Sequence, residues 1–92
     1  MIRYMPPAPM ERALVESTTL RSAGHDPKLA VSELQFLNGA VYHYFLVPQR
    51  AYRDLLWARS KGGYFNQNIR GRYSYQRIQD AVPISPEPAL SI

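Results

Sequence analysis

The stretch LAVSELQFLNGAVYHYFLVP, residues 29–48, decides the fold of this 92-residue chain. Two runs rich in β-branched, aliphatic and aromatic residues flank the dipeptide Asn38-Gly39. Asn-Gly is a strong hairpin signal, because both central residues of the tightest hairpin turns need a positive φ. The stretch therefore predicts two antiparallel strands joined at this dipeptide.

The register of this hairpin decides which side chains share a face of the sheet. A two-residue loop sets Gln35 opposite Tyr42 and Leu34 opposite His43, and side chains alternate between faces along each strand. One face is then mainly apolar and is predicted to be core: Leu34, Phe36, Val41, His43 and Phe45. The other face is amphipathic, so its tyrosines are predicted to be partly exposed, or structural if a second layer covers them: Glu33, Gln35, Tyr42, Tyr44 and Leu46. A G1 bulge at Gly39 is the alternative, and it would change these pairs.

Further elements are predicted on both sides of the hairpin. Residues 16–26 are rich in serine and threonine and indicate an edge strand. Pro48 suits the first turn of a helix, which Gly62-Gly63 is predicted to end. A helical turn over residues 64–70 and an extended basic segment over residues 72–78 follow. The sequence thus predicts an α+β fold, a three-stranded antiparallel meander with a helix packed on one sheet face.

The uneven distribution of proline predicts one small domain between two tails. Six of the eight prolines lie near the ends of the chain. We expect a flexible Pro-rich tail over residues 1–13, a domain over residues 14–78 and a second such tail over residues 79–92. Cysteine is absent, which excludes disulfides, and no apolar run suits a signal peptide or a membrane span. These features predict a cytoplasmic protein with no membrane role.

Positive charge is concentrated in one segment of the chain. Residues 48–77 carry seven arginines and lysines against a single carboxylate, Asp54, whereas residues 1–47 are neutral overall. The same segment contains several tyrosines, and a basic, aromatic composition favours binding to phosphate and to unpaired bases. A solvated basic face that maintains solubility is the alternative.

No motif in the sequence predicts catalysis, a metal or a cofactor. His25 and His43 have no cysteine partners and no metal-binding spacing, and no serine lies in a nucleophile elbow. Gly62-Gly63 lacks the remainder of a phosphate-binding loop. We therefore expect a protein that is not an enzyme and needs neither metal nor cofactor.

Candidate binding residues come from the basic segment and from the predicted amphipathic face. Arginines are expected to hold phosphates and tyrosines to stack on bases, which gives the nucleic-acid-binding set Tyr42, Tyr44, Arg50, Arg53, Tyr64, Arg70 and Arg72. Trp57 lies beside the apolar stripe of the predicted helix. It is expected either to cap the edge of the core or to anchor a protein partner.

The order of several short motifs resembles the KTSC domain, a module found at the C-terminus of some lysyl-tRNA synthetases and as small stand-alone bacterial proteins. The family's central YxY resembles Tyr42-His43-Tyr44, and Val47-Pro48 follows it. The family's later elements resemble Ser60-Lys61-Gly62, Tyr64-Phe65-Asn66 and Ile69-Arg70. The resemblance covers residues 17–78, but His25 stands where members often carry an aromatic residue. It implies no established activity, although the synthetase association suggests RNA binding.

Two functions remain as hypotheses from the sequence. The first is a non-enzymatic module that binds RNA, single-stranded or tRNA-like, through the basic aromatic surface. The second is a protein-interaction module or a homodimerising domain with no role in nucleic-acid binding. The first predicts binding that weakens with salt, whereas an apolar protein interface would be insensitive to salt.

Overall fold

A five-stranded antiparallel sheet forms the centre of the structure, a computed structural model that describes residues 4–7 and 10–82. The strands, each paired with its neighbour in sequence, are Ala13–Leu14 (β1), Leu20–Asp26 (β2), Val31–Phe36 (β3), Val41–Tyr44 (β4) and Tyr75–Gln79 (β5). The predicted α+β class is correct, but the predicted count of three strands is too low. The additional strands β1 and β5 lie at the sheet edges, where exposed side chains give a weak apolar pattern.

The hairpin between β3 and β4 has a three-residue loop, Leu37–Gly39. The Phe36 amide donates to the Ala40 carbonyl over 2.9 Å, and the Gly39 amide donates to the Phe36 carbonyl over 2.9 Å. Gly39 has a φ of +94°, whereas Asn38 is not among the described residues of positive φ. This is the geometry of a turn followed by a G1 bulge, so the two-residue register is wrong and the alternative is correct.

The shifted register changes which residues share a face. Leu34 lies opposite Tyr42, and Glu33 lies opposite His43. The face that carries Leu34, Tyr42 and Tyr44 is covered by the helices and is called the helix face; the opposite face, with Glu33 and His43, is called the reverse face. Tyr44 is only 4% exposed, so its predicted exposure is wrong and the alternative of a covered face is correct for this residue. The predicted grouping of His43 with Leu34 is wrong for the same reason.

Three helical segments connect β4 to β5. They are Gln49–Trp57 (α1), Lys61–Tyr64 (α2) and a π-helical turn, Phe65–Ile69. Helix α1 ends at Trp57, and the backbone of Ala58 after it is extended, so the prediction that Gly62-Gly63 ends this helix is wrong. Both glycines lie in α2, and a Cβ at Gly62 would collide with Thr19. Ser60 caps α2 by accepting the Gly63 N–H over 3.0 Å.

The core lies between the helix face and the helical segments. Its buried members come from the sheet, from α1, from the π-helical turn and from the connecting loop: Leu20, Ala23, Leu34, Tyr44, Val47, Leu55, Phe65 and Ile69. Contacts also extend beyond the predicted domain limits of residues 14 and 78. Tyr4 reaches the reverse face, and the Val82 amide donates to the Asn38 carbonyl. Residues 83–92 of the predicted C-terminal tail lie outside the described residues.

Candidate nucleic-acid interface

A pocket of about 280 Å³ lies on the helix face where β4 and β5 meet the end of the π-helical turn. Five of the residues that line it are aromatic, and we call it the aromatic pocket: Phe36, Asn38, Ala40, Tyr42, Tyr44, Phe65, Arg70, Gly71 and Tyr75. Three of the sequence-predicted binding residues, Tyr42, Tyr44 and Arg70, are therefore brought together. Of the described residues that line this pocket, none is acidic.

The π-helical turn positions one wall of the aromatic pocket. The Arg70 amide donates to the Phe65 carbonyl over 2.8 Å, a bond that spans five residues and widens the helix. Phe65 and Ile69 are buried by this turn, and Arg70 beyond them remains exposed. Gly71 then adopts a φ of +77°, which turns the chain toward β5. Single π-helical turns occur frequently at functional sites.

Aromatic rings form the walls of the aromatic pocket. The Tyr75 ring centroid lies 5.5 Å from that of Tyr42 and 5.6 Å from that of Tyr44, across the β4–β5 pair. Phe65 meets Tyr44 edge-on, with a centroid distance of 5.6 Å and an angle of 81°. Tyr75 is 59% exposed, so one ring at the edge of the sheet is open to solvent. This arrangement offers apolar, π-rich surface to a planar ligand.

The Tyr44 hydroxyl belongs to the most buried polar side chain that lines the aromatic pocket. It has no hydrogen-bond partner within residues 4–7 and 10–82, although the residue is 4% exposed. Burial raises the pKa of Tyr44 to about 12; Tyr42 and Tyr75 raise it as well, and the nearby Arg70 guanidinium lowers it. The hydroxyl is therefore protonated at neutral pH and can donate a hydrogen bond to a ligand.

Arg70 and Arg72 are exposed beside the aromatic pocket. Arg70 Nη1 donates to Asn66 Oδ1 over 3.3 Å, which leaves its other guanidinium hydrogens available. The described part of the chain contains no carboxylate paired with either arginine; its ion pairs are Arg12–Glu33, His43–Glu33 and Arg77–Asp80. Unpaired guanidinium groups are suited to phosphate, which they bind through two parallel hydrogen bonds.

The remaining sequence-predicted residues lie away from the lining of the aromatic pocket. Arg50 and Arg53 are exposed on α1. Tyr64 is half-buried, and its pKa is raised by burial and by Asp54 and Tyr73, with Arg72 opposing. Trp57 is 83% exposed, so it does not cap the core.

Tyr75, Phe36 and Asn38 line the aromatic pocket but were not predicted as binding residues. A signal for Tyr75 is present in the sequence, because Tyr73-Ser74-Tyr75 repeats the pattern of Tyr42-His43-Tyr44. Tyr44 lies directly opposite Tyr75 in the sheet. The wrong hairpin register concealed Phe36, because it assigned this residue to the face opposite the tyrosines.

The reverse face carries a hydrogen-bonded network centred on His43. His43 Nε2 lies 2.8 Å from Glu33 Oε1, and its Nδ1 lies 2.8 Å from the Tyr4 hydroxyl. Arg12 Nε lies 3.0 Å from the second oxygen of Glu33. His43 is 1% exposed, and both of its ring nitrogens have partners. This network holds part of the N-terminal segment against the sheet.

His25 differs from His43 in its environment. Its Nδ1 bonds to Ser32 Oγ at 2.8 Å, and its ring stacks on Tyr52 with a centroid distance of 5.1 Å. Its Nε2 is the one buried side-chain nitrogen or oxygen without a partner in the described ranges. Burial lowers the pKa of His25, and Asp26 opposes this effect.

Metal binding and membrane insertion each require a recognisable feature within residues 4–7 and 10–82. No cluster of three or more histidine, aspartate or glutamate residues that could bind a metal is found there. Within the same residues, no helix has the length and apolar character needed to cross a membrane.

Comparisons with known proteins agree on one family. The family model described as the KTSC domain matches residues 16–73. A crystal structure of a KTSC domain protein from Yersinia pestis superposes with a TM-score of 0.71 at 37% identity, and covers 76% of this chain and 99% of its own.

Relatives identified by sequence include a small protein and a tRNA ligase. An uncharacterised protein of Stutzerimonas stutzeri is 41% identical over 70 residues, which span 75% of this chain and 99% of the relative. A lysine–tRNA ligase of Nostoc punctiforme is 32% identical over 63 residues, which span 68% of this chain but only 11% of the ligase.

Proposed function

This chain belongs to the KTSC domain family, and we propose that it is a cytoplasmic, non-enzymatic module that binds RNA, single-stranded or tRNA-like. The observation that carries the proposal is the aromatic pocket beside unpaired arginines, Arg70 and Arg72. Aromatic rings stack on unpaired bases, and arginines bind the adjoining phosphates. The tRNA ligases among the relatives, which contain a 63-residue region similar to this chain, provide independent support.

Arg50, Arg53 and Tyr64 are proposed to extend this surface beyond the aromatic pocket. Because they lie outside its lining, they would contact more distant nucleotides. Alanine at Arg50 and Arg53 is therefore expected to weaken binding to a long RNA. The same change is expected to have no effect on the affinity for a short RNA that only fills the aromatic pocket.

The test is fluorescence anisotropy of labelled single-stranded RNA, tRNA and duplex DNA, titrated at low and moderate salt. Replacing Arg70 and Arg72 together with alanine is expected to weaken RNA binding and to reduce the slope of log affinity against log salt by about 1.4, because each lost phosphate contact in single strands contributes about 0.7. Lys28→Ala is the matched control, since this exposed cation lies in the β2–β3 turn. An unchanged slope in the double variant would contradict the proposal.

A protein-interaction module or homodimer is the second candidate. The observation that favours it is the exposure of Trp57, at 83%, because exposed tryptophans are frequent anchors of interfaces. Sedimentation of the wild-type chain and of Trp57→Ala tests this alternative. A concentration-dependent dimer that Trp57→Ala abolishes would support it, and a monomer over the whole concentration range would exclude the homodimer.

A further inference from the structure

The aromatic pocket has room for one planar ring system. Its volume is about 280 Å³, and its walls are the rings of Phe36, Tyr42, Phe65 and Tyr75, with Tyr44 buried among them. A base inside a duplex cannot reach such a pocket, whereas an unpaired base can leave its neighbours and stack on aromatic side chains. The pocket therefore fits an unpaired base of the RNA that we propose this protein binds.

Three polar side chains of the aromatic pocket offer hydrogen-bond donors, and one of them is a cation. Arg70 can only donate. The Asn38 side-chain oxygen already accepts the Ala40 N–H over 3.0 Å, so the Asn38 side chain offers its NH₂ group. The Tyr44 hydroxyl is protonated and has no partner in the described part of the chain. Three side chains of the lining thus present donors.

Acceptors of the hairpin loop beside the aromatic pocket are already used. The Phe36 carbonyl accepts the Gly39 amide, and the Asn38 carbonyl accepts the Val82 amide. The Gly39 carbonyl accepts the side-chain amide of Gln79 over 3.1 Å. No acidic residue occurs among the described residues of the lining. An exocyclic amino group, which donates, would find tyrosine hydroxyls as acceptors there but no carboxylate among the described residues.

From these donors we infer that the aromatic pocket reads the base edge on which uracil carries O4 and guanine carries O6 and N7, and so selects these two bases over adenine and cytosine, which carry an amino group at the corresponding position. Guanine presents the acceptors O6 and N7, and uracil presents carbonyl oxygens, whereas adenine and cytosine each present an amino group on the same edge. Tyr42 and Tyr75 supply stacking surface, and the Tyr44 hydroxyl with Asn38 and Arg70 supplies the donors. The inference rests on the proposed function and adds base preference to it.

The test uses single-stranded adenine oligonucleotides that differ at one central position, which is adenine, cytosine, guanine, uracil or an abasic site. Anisotropy is measured for the wild-type protein at low salt. Central guanine or uracil is expected to bind about tenfold more tightly than the abasic oligonucleotide, the size of one good base contact. Central adenine or cytosine is expected to bind less tightly than uracil.

Three variants assign the effect to the aromatic pocket. Tyr44→Phe removes the free hydroxyl and keeps the ring, so the preference for uracil over cytosine is expected to fall. Tyr73→Phe is the matched control, because this half-buried tyrosine lies outside the lining. Asn38→Asp keeps the acceptor for the Ala40 amide and replaces the NH₂ donor with an acceptor. It is expected to shift the preference toward cytosine and adenine.

The outcomes separate this inference from the proposed function. Equal, salt-sensitive binding of all five oligonucleotides would overturn the base pocket and leave RNA binding intact. A wild-type preference for adenine or cytosine would overturn the donor argument, and so would a uracil preference that Tyr44→Phe and Asn38→Asp leave unchanged. Absence of binding to every RNA at low salt would overturn both proposals.

Discussion

His43 and Tyr44 are adjacent in β4 and almost equally buried, yet their polar atoms differ in bonding. On the reverse face, both nitrogens of His43 are bonded, to Glu33 and to Tyr4. On the helix face, the Tyr44 hydroxyl has no partner in the described residues and lines the aromatic pocket. A hydroxyl on a pocket wall that no described protein group bonds is available to a ligand.

The difference indicates a division of roles between the two faces. The His43 network joins β3, β4 and the N-terminal segment, so it is expected to stabilise the fold. The aromatic pocket keeps donors unsatisfied, so its polar atoms are expected to contribute to binding and little to stability. Substitutions that remove polar atoms from one face at a time can test this division.

The largest effect is expected from His43→Leu. The change leaves the Glu33 carboxylate with only its Arg12 partner and removes the bond to the Tyr4 hydroxyl, so the free energy of unfolding should fall by about 2–4 kcal/mol. Tyr44→Phe, which removes an unbonded hydroxyl, should change it by less than about 0.5 kcal/mol. Urea denaturation of both variants measures the difference. Equal losses would contradict the division between the faces.

A smaller effect on the free energy of unfolding is expected at alkaline pH, where Tyr44 titrates. Because burial raises the pKa of Tyr44 from 10.0 to about 12, the unfolded chain loses this proton first, and the stability contributed by the neutral phenol is lost as pH rises from 10 toward 12. Tyr44→Phe should lose less stability over this range than the wild type. The measurement is urea denaturation at several alkaline pH values, and parallel pH profiles for the two proteins would exclude this role of Tyr44.

The smallest effect on the free energy of unfolding is expected from protonation of His25. His25 stacks on Tyr52 and has an unpartnered Nε2, and burial lowers its pKa from 6.5. The unfolded chain therefore binds a proton there more readily, and stability should decline as pH falls through 6.5 and toward the lower pKa of the folded state. Proton NMR of the His25 ring measures that pKa directly. A value at or above 6.5 would show that Asp26 outweighs burial.

The sequence predicted the fold class, the hairpin and α1 because each has a strong local signal. It missed the register because Asn-Gly fits more than one turn, and the choice depends on contacts outside the loop. One such contact joins Val82 to Asn38. The same error assigned Tyr44 to an exposed face, whereas Arg70 was predicted from charge alone, which does not depend on register.

The contribution of β5 to the aromatic pocket was missed for a different reason. Strands β4 and β5 are separated by three helical segments, so no local rule pairs Tyr44 with Tyr75. The tyrosine repeat was visible, but only long-range pairing brings the two motifs together. The reverse-face network was missed for the same reason, because Tyr4 lies far from His43 in sequence.

The length of the Leu37–Gly39 loop determines on which face of the sheet each side chain of β4 lies. Deleting one loop residue while keeping the strands paired would turn Tyr42 and Tyr44 to the reverse face and bring His43 to the helix face. Insertions and deletions in this loop should therefore be rare during the divergence of the family. Where a family member has gained or lost one residue in this loop, the two tyrosines should also be shifted by one position along β4, because this second change would return them to the helix face.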